Sequence, residues 1–288
     1  MKPYAPAICL LVASLSSHAA ESEEAYFQPR FAAYEPSYAV YRKADNDENA
    51  ITARYSFQYI LWGKNKFGPC AYADKGCHYF YLSYTGEFDF YVGSRDSSPV
   101  INRVSNPAFH WRHMRDGKYW IDVGVEHRSN GQSTEITSPE DAARAQEAYL
   151  KRDHAYFDGI SRGSNYASVQ GGNSPKESTH ANVKLKFYFS KDSAITWGPW
   201  ATRNTSIADY DLARFYVEQH LPAAFGKGSV GVEWIVGKRG LQTDSANIDL
   251  LLSQVVPLYI RVHRGPFRTL SDYTRPQNAI GIGLKFSN

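Results

Sequence analysis

Residues 119 to 132 read "YWIDVGVEHRSNGQ", and their alternation decides the fold. Successive side chains of an extended strand point to opposite faces. One face then carries Tyr119, Ile121, Val123 and Val125, and ends in His127 and Ser129. The other carries Trp120, Asp122, Gly124, Glu126 and Arg128. A soluble β-sandwich also alternates, so this stretch needs its neighbours before it can be placed.

The neighbours repeat the pattern. In "NVKLKFYFSK" Val183, Leu185, Phe187 and Phe189 oppose Lys184, Lys186 and Tyr188. In "DLARFYVEQ" Ala213, Phe215 and Val217 oppose Arg214, Tyr216 and Glu218. "SVGVEWIVGK" and "AIGIGLKF" alternate in the same way. The polar faces hold lysine, arginine and glutamate repeatedly. That suits a hydrated lumen of paired charges, with the apolar faces turned to lipid. Twelve such segments are expected, near 31–42, 51–62, 78–91, 107–115, 118–128, 164–171, 181–190, 210–220, 228–238, 246–255, 257–264 and 279–286. An even number is what closed bacterial barrels use. The expected fold is therefore all-β: a twelve-stranded antiparallel transmembrane β-barrel. Clusters such as "WGPW" and "RGPF" read as turns. Near the end, Phe286 stands close to the C-terminal aromatic usual in such barrels, with Ser287 and Asn288 after it.

Composition agrees. The chain holds 21 Tyr, 15 Phe and 6 Trp, a high aromatic content suited to membrane-interface girdles. A net charge of +3 is too small to point to nucleic acid. Residues 1–20 read as a secretory signal peptide: Lys2, the apolar run "PAICLLVASLSS", and small residues at Ala19 and Ala20 where cleavage is expected. Residues 21–288 form the barrel domain on this reading, in the bacterial outer membrane. Cys70 and Cys77, bounding "CAYADKGC", suit a disulfide-closed loop in an exported chain. Half of a metal site is the alternative, and it lacks further ligands. One segment breaks the alternation. "SPEDAARAQEAYLKRD" opens with Ser138, Pro139, Glu140 and Asp141, a helix start, and continues with helix formers. A short helix over 139–152 is expected inside a long loop, against the alternative of an unstructured charged loop.

The chemistry rests on the end of the first stretch. His127 and Ser129 fall on the lipid-facing side near the membrane boundary, where polar groups are costly. A serine hydroxyl is a weak nucleophile unless a base lies within hydrogen-bond reach. A base in turn needs a third group to fix its tautomer. "SRGSNYASVQ" offers Asn165, again the one polar residue at the boundary of a face with Ala167 and Val169. Ser129, His127 and Asn165 are thus a candidate triad. Taken alone, His-x-Ser is a weak motif, and surface residues at a strand end would explain it as well.

"EHRSNGQS" followed by "SRGSN", together with "SSP" upstream, resembles the outer-membrane phospholipase A family, from about Phe31 onward. The resemblance implies Ser129 as nucleophile, His127 as general base and Asn165 as its orienting partner. It implies an oxyanion hole at the Gly131 backbone amide. It also implies calcium (Ca2+), bound by the Ser161 hydroxyl, the Gln132 carbonyl and the Ser97 carbonyl of a second subunit, hence an active homodimer acting on membrane phospholipids. Calcium favours such oxygen ligands. A loop cap is the plainer reading of Ser161. The chain departs from the family in three places. The loop between the two motifs is longer by the expected helix. "YTGEFDF" puts Gly86 or Glu87 where the family carries an interface glutamine. Arg128 replaces an acid between His127 and Ser129, but faces the other way. Two alternatives remain open: a lipid A deacylase, which would pair its histidine with a glutamate, and a pore or adhesin without chemistry.

Overall fold

The computed structural model describes residues 31–45, 49–63, 76–93, 101–151, 153, 156, 159–190, 205–222, 226–253, 255–271 and 273–286. The strands are β1 (Phe31–Ala33), β2 (Ser37–Ala44), β3 (Ala50–Gly63), β4 (Cys77–Tyr91), β5 (Ile101–Arg115), β6 (Tyr119–Ser129), β7 (Gly163–Asn173), β8 (Thr179–Ser190), β9 (Ala213–His220), β10 (Ser229–Val236), β11 (Ser245–Leu251), β12 (Leu258–Gly265) and β13 (Gln277–Phe286). From β2 onward each pairs antiparallel with its chain neighbour, and β13 pairs with β2 to close the ring. β1 and β2 both pair with β3, at Phe57–Tyr59 and Ala50–Arg54 respectively. They are two halves of one barrel strand, so the closed barrel has twelve strands, as the alternation predicts. The break at Tyr34–Pro36 was not expected. Pro36 cannot donate a ladder hydrogen bond, and the chain there turns Tyr34 and Glu35 inward. Tyr34 accepts a hydrogen bond from Gln170 at 3.1 Å, and Glu35 pairs with Arg54.

Which face looks out is settled by exposure. Ile121, Val123 and Val125 are 46%, 43% and 55% exposed, whereas Asp122 and Glu126 of the same strand are buried. A wall that is apolar outside and charged inside is a membrane barrel. The lumen is cross-braced rather than open. Glu126 pairs with Lys184 at 2.6 Å, Asp211 with Arg214 at 2.8 Å, and Glu218 with Lys285 at 3.3 Å. Removing one partner of such a pair typically costs about 3–5 kcal/mol. The remaining luminal cavity is about 420 Å³.

The connections 130–162 and 191–212 leave from the end where β6 finishes, and the chain enters β1 and leaves β13 at the other end. Long loops mark the outer side of such barrels and short turns the periplasmic side. At the outer end the expected helix forms as α1 (Pro139–Lys151). Ser138 accepts from the Asp141 amide at 3.1 Å, and Asp141 accepts from the Ser138 amide at 3.1 Å, a reciprocal cap. These bonds, the Ser138 side chain first, hold the Asp141 carboxyl below its ordinary value. Ala145 and Ala148 of α1 pack with Ile160, Ile207, Phe267 and Leu270 into an apolar cap over the mouth of the lumen. The inserted helix is therefore part of the plug. At the periplasmic end Cys77 is disulfide-bonded. Its expected partner, Cys70, lies outside the described residues, as do Ser97 and the signal peptide expected at 1–20.

Candidate active site

β6 carries its charged face inward and delivers His127 and Ser129 to the outer wall at its upper end. Gly124 makes the inward face possible: a Cβ there would lie 2.3 Å from His110 Nδ1. That histidine bridges to the buried Asp122 at 2.8 Å, which ties β5 to β6 just beneath the site.

Asn165 is the register partner of His127 on β7. Its Oδ1 lies 2.8 Å from His127 Nδ1. With that oxygen accepting, Nδ1 carries the proton and Nε2 is left with its lone pair. β7 bulges against β8 between Asn165 and Tyr166, a local twist of the kind that re-aims side chains next to sites. Ser129 is the register partner of Gly163. A Cβ built on Gly163 would lie 3.5 Å from Ser129 Cβ and 3.9 Å from His127 Cε1, so both side chains lean over that glycine. No hydrogen bond joins the Ser129 hydroxyl to the His127 ring in this arrangement; such bonds often tighten only with substrate bound.

The surroundings sort into rows across the wall. At the level of Ser129 stand Gly86, Ser105 and Gly163, a shelf of small residues. One step toward the membrane centre stand Phe57, Tyr84, Pro107, His127 and Asn165, and below them Tyr59, Leu82, Phe109 and Val125. These two lower rows line an apolar groove of about 590 Å³ on the outer wall, reaching His127. Pro107 faces His127 across the ladder and has no N–H to give. The Asn106 side chain supplies the missing donor, 2.9 Å from the His127 carbonyl. A proline in the middle of a strand is the sequence signal for this feature. The Gly86 shelf is roofed by Tyr55, whose ring carbon Cζ would sit 2.4 Å from a Cβ at that position. Glu87 points inward to Arg268 at 3.1 Å. Neither residue of "YTGEFDF" therefore places a polar group on the outer wall.

After Ser129 the chain turns through Gly131, at φ +62°, where glycine is favoured. Asn130, absent from the expected site, is the clamp of this turn. Its Nδ2 donates to the Ile160 carbonyl at 2.7 Å, and its Oδ1 accepts from the Arg162 and Gln132 amides at 2.9 and 3.3 Å. Thr134 and Ile160 add a parallel bridge. Gln132 and Ser161 are thereby held on two adjoining segments. Among the described residues the Gln132 carbonyl, the Ser161 hydroxyl and the Gly131 amide take no hydrogen-bond partner. Neutral oxygens of this kind fit a calcium ion that is completed by further ligands. Also among the described residues, no group of three His, Cys, Asp or Glu side chains is placed to hold a metal. Arg128 points into the lumen, 3.3 Å from Asp211.

The fold and the outer-wall groups define a closed barrel of the bacterial outer membrane with a candidate hydrolase site on its lipid-facing side. That architecture is the fold of outer membrane phospholipase A. The chain superposes on the Escherichia coli protein with a TM-score of 0.64 at 17% identity, covering 90% of this chain and 98% of that one. An Escherichia coli form with an asparagine-to-alanine active-site substitution gives 0.63 at 16% identity, covering 94% and 95%. The Salmonella typhi phospholipase, a dimer with bound calcium, gives 0.63 at 16% identity, covering 93% and 95%. No family model matches the sequence, and no curated protein matches it either.

Proposed function

We propose that this chain is a calcium-dependent phospholipase A that hydrolyses acyl esters of glycerophospholipids from the outer wall of its barrel. The observation that carries the reading is the His127–Asn165 hydrogen bond, 2.8 Å, made beside Ser129 at the head of an apolar groove. Ser129 Oγ attacks the ester carbonyl carbon while His127 Nε2 takes its proton. Asn165 holds the imidazole in the tautomer that leaves Nε2 basic. The Gly131 amide, with no other acceptor, donates to the developing oxyanion. His127 then returns the proton to the departing glycerol oxygen, and water releases the acyl group by the same relay. The Gln132 carbonyl and Ser161 hydroxyl would hold calcium, with the Ser97 carbonyl contributed by a second copy. The ion would supply positive charge where the oxyanion forms. The calcium-bound dimer of the Salmonella protein supports this part of the reading, as the asparagine substitution in the Escherichia coli active site supports the role of Asn165.

Asn165 stands where a lipid A deacylase would be expected to place a glutamate. A passive pore fits poorly with the apolar cap and braced lumen. Acyl release by refolded protein, from phospholipid and from lipid A, with calcium or with chelator, tests the proposal. The expected result is calcium-dependent release from phospholipid alone. Release only from lipid A, or from neither, refutes it.

A further inference from the structure

Arg103 has no part in the chemistry above, yet it stands on the same wall. Alternation places Ser105, Pro107 and Phe109 on the outside of β5, and Ser105 is the register partner of Ser129; Arg103 follows at a register shift of β5 against β4, beside Val104, which is buried on the inner side. Two residues of strand advance about 7 Å, so Arg103 lies that far beyond Ser129 toward the outer loops. It is exposed. Among the described residues it has no ion pair and no hydrogen bond, unlike the luminal arginines Arg54, Arg112, Arg214, Arg261 and Arg268. An unpaired guanidinium on the lipid-facing side of a barrel is tolerated at the headgroup level, where it can reach water or an anion.

A glycerophospholipid presents its groups in a fixed order along the membrane normal: acyl chains, then ester carbonyls, then phosphate. The wall presents the matching order. The apolar groove of Leu82, Phe109 and Val125 comes first, then Ser129 on its shelf of small residues, then Arg103. The shelf leaves no bulky side chain between Ser129 and Ser105 to block a glycerol backbone passing upward. The planar fork of arginine suits a phosphodiester, to which it can donate two parallel hydrogen bonds. Of the other outward cations on the described strands, Lys43 on β2 and Arg264 on β12 lie on strands away from β6, and Arg115 on β5 stands at the opposite, periplasmic end of the wall, paired with Asp116.

We propose that Arg103 binds the phosphate of the lipid whose ester is presented to Ser129, and so selects phosphorylated glycerolipids over neutral ones. This rests on the hydrolase reading of the site. The test has two arms on the full refolded chain, for wild type, Arg103→Ala and Arg103→Lys, with strand content checked by circular dichroism. The first compares kcat/KM for a phosphatidylglycerol and for the diacylglycerol with the same acyl chains. The expected result for Arg103→Ala is a fall of about tenfold in the phospholipid-to-diacylglycerol ratio, carried by KM, with partial rescue in Arg103→Lys. The second arm uses Ser129→Ala protein and measures binding of hexadecylphosphocholine, which has a phosphate and no ester, against hexadecyl maltoside. Arg103→Ala should weaken only the former, again about tenfold. A ratio within twofold of wild type, or equal losses for both members of either pair, overturns the proposal. Wild-type protein that hydrolyses neither ester sinks the hydrolase reading, and the binding arm then decides Arg103 alone.

Discussion

Replacing Asn165 by alanine removes one contact whose worth can be set from the structure. The contact is a single neutral hydrogen bond of 2.8 Å on a half-open wall. Such bonds contribute about 0.5–1.5 kcal/mol net, which corresponds to about 2- to 13-fold in rate when the whole amount is lost in the transition state. The upper end is expected, because the bond strengthens once His127 takes the serine proton and its Nδ1–H becomes the donor of a charged imidazolium to the Asn165 oxygen. The groove and the Ser129 shelf are untouched, so the loss should fall on kcat with KM little changed. Initial rates of fatty-acid release from a short-chain phospholipid in micelles, at saturating calcium, would measure it, with strand content followed alongside. Two outcomes refute the reasoning. Activity within twofold of wild type would mean that His127 is oriented by something else. A loss as large as that of Ser129→Ala, in folded protein, would give Asn165 a role beyond orienting the base.

Ser129→Ala itself should cost several orders of magnitude in kcat while leaving the barrel folded; near wild-type rates in a folded variant would remove the nucleophile. Gly124→Ala should destabilise the barrel by about 1–3 kcal/mol, because the new Cβ displaces His110 from its hydrogen bond to the buried Asp122. A lowered urea midpoint in detergent reads that out, and an unchanged midpoint contradicts the close approach. If the ion is shared between two copies, calcium should favour the dimer by mass action, and Ser161→Ala should raise the calcium needed for both crosslinking and acyl release. Full activity from strictly monomeric protein in chelator would refute the shared site and leave the serine chemistry standing.

Much of this was legible because alternation is a strong signal when one face meets lipid and the other a charged interior. The strands of Tyr119–Ser129 and Thr179–Ser190 follow directly from it, and α1 follows from "SPED". Asn165 could be placed beside His127 because both end an otherwise apolar face. Features that break the period could not be read this way. The turn of Tyr34 and Glu35 into the lumen depends on Pro36 in a strand that continues on both sides. The clamp by Asn130 depends on a segment some thirty residues downstream. The cap depends on Ile207, Phe267 and Leu270, which come from loops with no period of their own. Gly86 suggested only a missing polar contact, and the Tyr55 ring laid over it needed the register of β3 against β4 to be seen.

The placement of His127 and Ser129 on the outside wall, with the lumen plugged, has a kinetic consequence. A lipid reaching that groove diffuses sideways within one leaflet and never crosses water or the barrel interior. If the site hydrolyses phospholipid as proposed, the quantity that drives the rate is the mole fraction of phospholipid around the barrel, and bulk concentration has no direct meaning. Diluting the same lipid with an inert detergent, at constant total lipid, should slow such an enzyme in proportion, while adding more mixed micelles of fixed composition should saturate it. On the proposed function, the membrane around the barrel would act as both its solvent and its regulator.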